Sequence, residues 1–167
     1  DKQGKKQDLS GETLAEDSSL AFLRRFHGSK QPGDDEIRRY IHHQEHNIRN
    51  IAAFKVLGIN SGYIGWRAAG GKVRKELLLE FLQHKDPRVR RAMFGAILGK
   101  PAVMTAEVFG LAVDAVKDPA ESWWVKDAAL QLIGRGSADQ VVPLVDLLLP
   151  YLKHEEDWLK NAALSAL

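Results

Sequence analysis

The stretch Asp86-Pro87-Arg88-Val89-Arg90 decides how the rest of the chain is read. An aspartate followed by proline suits a helix start: the carboxylate accepts a free backbone N–H, and proline fits the first turn, where no N–H donor is needed. From Val89 onward Ala92, Met93, Ala96 and Ile97 recur at three and four positions, the period of a helix with one apolar face. Upstream, Phe81-Leu82-Gln83-His84 closes another apolar helical stretch. The unit reads helix, short acidic turn, helix.

That unit recurs. Val89-Arg90-Arg91-Ala92 returns as Val125-Lys126-Asp127-Ala128 and Leu159-Lys160-Asn161-Ala162, and Ile48-Arg49-Asn50-Ile51 is an upstream copy. The offsets from Ile48 to Val89, Val89 to Val125 and Val125 to Leu159 are 41, 36 and 34 residues. Ile48 to Gly58 aligns without a gap to Val89 to Gly99, and Ile133-Gly134 falls at the same place in the third copy. Tyr40-Ile41-His42-His43 and Tyr151-Leu152-Lys153-His154 match Phe81-Leu82-Gln83-His84. A period of this length marks a stacked helical repeat, in which each pair buries its apolar face only against its neighbours.

The Asp86-Pro87-Arg88-Val89-Arg90 turn resembles the Asp-Pro-x-Val-Arg turn of HEAT repeats. Asp118-Pro119 is a looser copy, and Glu156-Asp157-Trp158-Leu159-Lys160 lacks the proline. The resemblance spans residues 34–167 and implies an all-α, right-handed α-α superhelix of about four helical pairs, covering residues 35–58, 72–99, 105–134 and 139–167, without strands. Acid and base four apart (Glu45 and Arg49, Asp86 and Arg90, Glu156 and Lys160) are placed to pair along the turn face, a ladder that Ser122 interrupts in the third copy. Pro150 should break the first helix of the last pair.

Bulk properties narrow the rest. A net charge of +2 in 167 residues does not call for an anionic partner. With no cysteine, disulfides, thiol catalysis and thiolate metal sites are excluded. Residues 1–11 are polar and expected to be disordered, whereas 12–167 read as the helical repeat domain, beginning with a helix over 12–27. The final apolar pattern carries no stop signal, so a longer parent protein is expected.

His42, His43 and His46 have spacing that invites a metal reading, yet His43, His84 and His154 share one repeat position at the end of a first helix. A base there suits the helix C-terminus and its free carbonyls, so no metal site is assigned. Five glycines, Tyr63, Trp66 and Arg67 fill the loop 58–71, the longest interruption of the repeat. It lacks the order of a phosphate loop and reads as an inter-repeat connection, with Trp66 packing back on the flanking helices. Trp124 and Trp158 are equivalent and read as aromatics packed between repeats; Trp123 aligns with Asp157 and should be more exposed.

Trp123 and Asp127, four apart, resemble the arrangement in the HEAT-like alkylpurine DNA glycosylases, which implies lesion contact for the tryptophan and a catalytic role for the aspartate. The match covers those two residues. Basic groups at Lys72-Val73-Arg74-Lys75, Arg88 to Arg91, Arg24-Arg25 and Arg38-Arg39 would serve the same alternative, a nucleic-acid-binding domain. No nucleophile elbow, triad or cofactor motif is present. The preferred expectation is a non-catalytic protein-binding or scaffold module without cofactor. Its contact candidates are Arg91, Asp127 and Asn161 at one repeat position, with Trp123, Tyr63 and Trp66.

The register is testable at the small position of the second helix. Ala128→Arg should lower stability by about 3 kcal/mol or more, because a charge enters a tight helix contact. An unchanged melting temperature would put the alignment out of register.

Overall fold

The computed structural model describes residues 31–61, 66–67 and 71–167. Helix α1 (Asp34–Tyr40) is followed by α2 (His46–Val56), α3 (Lys75–Leu82) by α4 (Pro87–Leu98), and α5 (Ala106–Lys117) by α6 (Trp123–Ile133). The fourth pair begins with short pieces, α7 (Ala138–Val141) and α8 (Val145–Leu148), and ends with α9 (Asp157–Ala166). The described chain is all-α apart from one two-residue antiparallel ladder. The expectations for 1–11, for a helix over 12–27 and for Tyr63 lie outside the described residues.

The apolar stripes form one continuous core. Within each pair the first helix packs on the second, α1 on α2, α3 on α4, α5 on α6. Between pairs the second helices carry most of the contact, in the order α2, α4, α6, α9, while α3 and α5 touch lightly. The seam holds Ala92, Ala128 and Ala162, all buried, and their small side chains let the second helices approach.

The turn of the second pair forms as its residues dictate. Asp86 is the N-cap of α4 and accepts the Arg88 N–H at 2.8 Å, with Pro87 in the first turn. In the third pair Asp118 instead accepts the Ala120 N–H in a tight turn, and Ser122 takes the N-cap position of α6. Pro150 opens a 3-10 segment (Leu149–Lys153), and Pro143 opens another (Val142–Leu144). Two prolines, each lacking an N–H to continue the ladder, thus divide this first helix into four short pieces.

The loop departs from the strand-free expectation. Asn60–Ser61 pairs antiparallel with Trp66–Arg67, Asn60 opposite Arg67 and Ser61 opposite Trp66. Gly58 sits at φ +67°, and a Cβ there would lie 2.3 Å from the Gly71 carbonyl oxygen. Only glycine tolerates both that conformation and that approach. The two glycines bring the ends of the insertion together as a hairpin neck, so the repeat resumes with little displacement. The packing expected of Trp66 concerns a side chain outside the described set.

The acid–base pairing expected within each turn is replaced by other partners. Arg90 donates to the carbonyls of His84 and Lys85, and forks onto both carboxylate oxygens of Glu121 at 2.7 Å. Arg49 donates likewise to His43 and Gln44. Lys160 pairs with Asp157 rather than Glu156. A guanidinium on the first turn of a helix lies over the preceding loop carbonyls, which lack helical donors, and so satisfies them in place of the nearer acid. The third copy keeps an acid after all: Glu121, one residue before Ser122, faces back to the previous repeat.

The Glu121 side chain is 4% exposed and that of Arg90 19%. Removing one partner of such a pair strands the other charge. Arg90→Ala should therefore cost about 3 kcal/mol, and Glu121→Gln less, because the amide still accepts one hydrogen bond. A double-mutant cycle by denaturant unfolding checks this; coupling near zero would mean that the pair does not hold the two repeats.

Candidate functional site

The face built by the second helices carries the candidate site. On α6, Trp123, Asp127 and Gln131 are four apart and share one side of the helix. Asp127 is only 7% exposed, and both of its carboxylate oxygens accept from Gln131 Nε2 at 3.1 Å. Across the seam, α9 presents Trp158, Asn161 and Ser165. Asp127 and Gln131, together with these three, Leu98 at the end of α4 and Arg135 just beyond α6, line a cleft of about 420 Å³, and Trp123 is not among its walls.

Asp127 and Asn161, from one repeat position, therefore meet in one cleft. Arg91 is half-buried on α4 and is not among the cleft's lining residues. Asn50, the upstream equivalent, lies 2.9 Å from His46 Nε2 on its own helix. Trp123 is 40% exposed at the start of α6. Trp124 packs partly buried against the core, but its equivalent Trp158 is 65% exposed and lines the cleft, contrary to the packing expected of it. The sequence signal for Trp158 was its repeat position, which fixed its place on the helix but not what covers it.

The histidines have a different task from the one expected. His43, His84 and His154 do not donate to helix carbonyls. Each Nδ1 accepts the backbone N–H two residues on, from Glu45, Asp86 and Glu156, at 3.0 Å in all three copies. Those three residues are the N-caps of α2, α4 and α9. The imidazole thus closes the turn by holding the start of the second helix. His42 instead meets His84 across the repeat, ring centroids 4.8 Å apart, and His46 lies beside Asn50. Among the described residues no group of three or more His, Asp or Glu side chains is arranged to hold a metal ion.

Four of the arginines that suggested a phosphate groove are engaged in ion pairs, and Arg24 and Arg25 lie outside the described residues. Arg38 forks onto Glu80, Arg74 meets Asp34 at 2.9 Å, Arg88 meets Asp86 at 2.8 Å, and Arg90 is held by Glu121. Arg88 and its N–H hold the Asp86 carboxyl well below its usual range, at about 2. No helix among the described residues is long and apolar enough to cross a membrane. Comparison with known proteins finds no match: no family model, no curated protein and no solved structure corresponds to this chain.

The His84 turn should make the fold acid-sensitive. Burial pushes its imidazole below the ordinary value of 6.5, and the neighbouring His42 adds to this against a smaller opposing pull from Asp86. The folded state then binds this proton less tightly than the unfolded chain. Its stability contribution is intact above the ordinary value and is lost as pH falls through the lowered one. His46, lowered by burial and by Arg91 and Arg49, acts in the same direction. Asp86 contributes in a separate window, intact above 3.8 and lost towards pH 2. Thermal melts between pH 8 and pH 5 should show a falling melting temperature. His84→Ala should cost about 1 kcal/mol at pH 8 and make that fall shallower; an unaltered slope would remove His84 as its source.

Proposed function

We propose that this chain belongs to a right-handed HEAT-like α-solenoid and works as a non-catalytic module that binds another protein through its second-helix face. The observation that carries this reading is the pair of exposed tryptophans, Trp123 and Trp158, on the helices that meet at the Asp127–Asn161 cleft. Large aromatics left in solvent near a cleft that also carries Asp127, Gln131, Asn161 and Ser165 have the composition of a contact hot spot, in which an apolar anchor is ringed by hydrogen-bonding groups. The turn motif, the four helical pairs and the seam of second helices support the HEAT-like reading. The nucleic-acid alternative draws on Trp123 and Asp127, but Arg38, Arg74, Arg88 and Arg90 are engaged in ion pairs, and a carboxylate in the cleft repels a phosphate backbone.

The test compares the wild-type chain with Trp123→Ala/Trp158→Ala, each immobilised and exposed to a cell lysate. A distinct set of proteins should be retained by the wild type and lost from the variant, with the circular dichroism spectrum unchanged. Equal retention by both would overturn the reading. Tight binding to a duplex oligonucleotide, weakening steeply with salt, would support the nucleic-acid alternative.

A further inference from the structure

We propose that the cleft between α6 and α9 receives a single basic side chain, lysine or arginine, from the partner protein, held between the Asp127 carboxylate and the Trp158 ring. This rests on the protein-binding reading above and specifies its ligand.

The argument starts from Asp127. It is almost fully buried, and its described contacts are two hydrogen bonds from one neutral amide, Gln131. The other buried acid of this region, Glu121, has the Arg90 guanidinium across both oxygens. Asp127 has no cation in that place among the described residues. A cation entering the cleft would add a charged donor to the neutral amide that already holds this carboxylate. Gln131 holds the carboxylate from its own helix, and each oxygen keeps a lone pair for a further donor.

The cleft's other walls suit the same guest. Trp158 supplies an indole whose face attracts ammonium and guanidinium groups. Asn161 and Ser165 add neutral polar groups, and Leu98 and Ala162 add surface for an alkyl stem. Arg135, also in the lining, lies in the turn just beyond the end of α6. It opposes a second positive charge, so the cleft selects one basic residue rather than a polybasic run. The volume of about 420 Å³ accommodates one long side chain with part of its backbone.

The probes are N-acetyl-lysine methylamide and N-acetyl-arginine methylamide, with N-acetyl-norleucine methylamide as the uncharged control. Each is titrated into the isotopically labelled full chain while the Trp158 indole N–H and the Gln131 side-chain amide are followed by NMR. The basic probes should shift both signals saturably, with a Kd in the millimolar range expected of one side chain. Norleucine should not. Asp127→Asn, which keeps the shape and the Gln131 contact, should weaken binding at least tenfold. Trp158→Ala should weaken it comparably while the amide spectrum elsewhere stays folded. Absence of saturation with both basic probes, equal shifts from norleucine, or full binding by Asp127→Asn would each overturn the assignment. Lysate retention separates the two readings: proteins still lost only from the tryptophan variant leave the module standing with a different guest, and retention unchanged by that variant removes the module itself.

Discussion

The Arg90 guanidinium is the constraint on which the described structure most depends. One planar fork satisfies the loop carbonyls of His84 and Lys85 and, from its other edge, both oxygens of Glu121 in the following repeat. The local turn and the placement of the next pair are thereby fixed by the same group. Because Glu121 is withdrawn from water, neither partner tolerates the loss of the other. The position of α6 against α4, and with it the orientation of Asp127, follows from this contact together with the alanine seam.

The other repeats use parts of the same device. Arg49 reproduces the bonds to the loop carbonyls, while Arg38 and Glu80 link the first helices α1 and α3. Lys126 occupies the equivalent position on α6 and lies over the Tyr151 ring, with 5.9 Å between its ammonium and the ring centroid. Lysine lacks the fork that bonds two carbonyls at once, and there Tyr151 itself bonds back to the Val116 carbonyl at 2.7 Å. The His Nδ1 contact recurs at three turns, which have no Asp118-type insertion before the second helix. The third turn is longer, and its Asp118 and Glu121 close it by other bonds.

What the sequence disclosed follows from which interactions are local. Period, turn motif and proline positions depend on residues close in the chain, and from these the helical pairs, the buried Ala92, Ala128 and Ala162 and the break near Pro150 were legible. Charge partners were not. Arg90 and Glu121 stand 31 residues apart, so spacing within the turn pointed to Asp86 instead. The alignment also equates positions whose surroundings differ. Gly58 takes a left-handed conformation against Gly71, whereas Gly99, its equivalent, lies at φ −76° and packs near Phe54. Lys55 is fully buried where α4 has Ala96, and burial together with Arg74 lowers its pKa. At the cleft, Asp127 and Asn161 were legible from their shared position; Trp158 was not, because exposure depends on what lies across the seam.

The contrast between two adjacent repeat positions explains how such a stack becomes specific. In α4, α6 and α9 one of these positions is the buried alanine, Ala92, Ala128 or Ala162, where extra volume is costly, while α2 has the half-buried Ile51 there. The residue just before it, Asn50, Arg91, Asp127 or Asn161, sits at the edge of that contact, where packing does not dictate size or charge. It is neutral, basic, acidic and neutral in successive copies. A row that the fold leaves free, on a face whose spacing the fold holds fixed, is where a partner can be selected without cost to stability. Asp127 is the member of that row most deeply withdrawn from solvent, and its carboxylate is held there by Gln131 of its own helix.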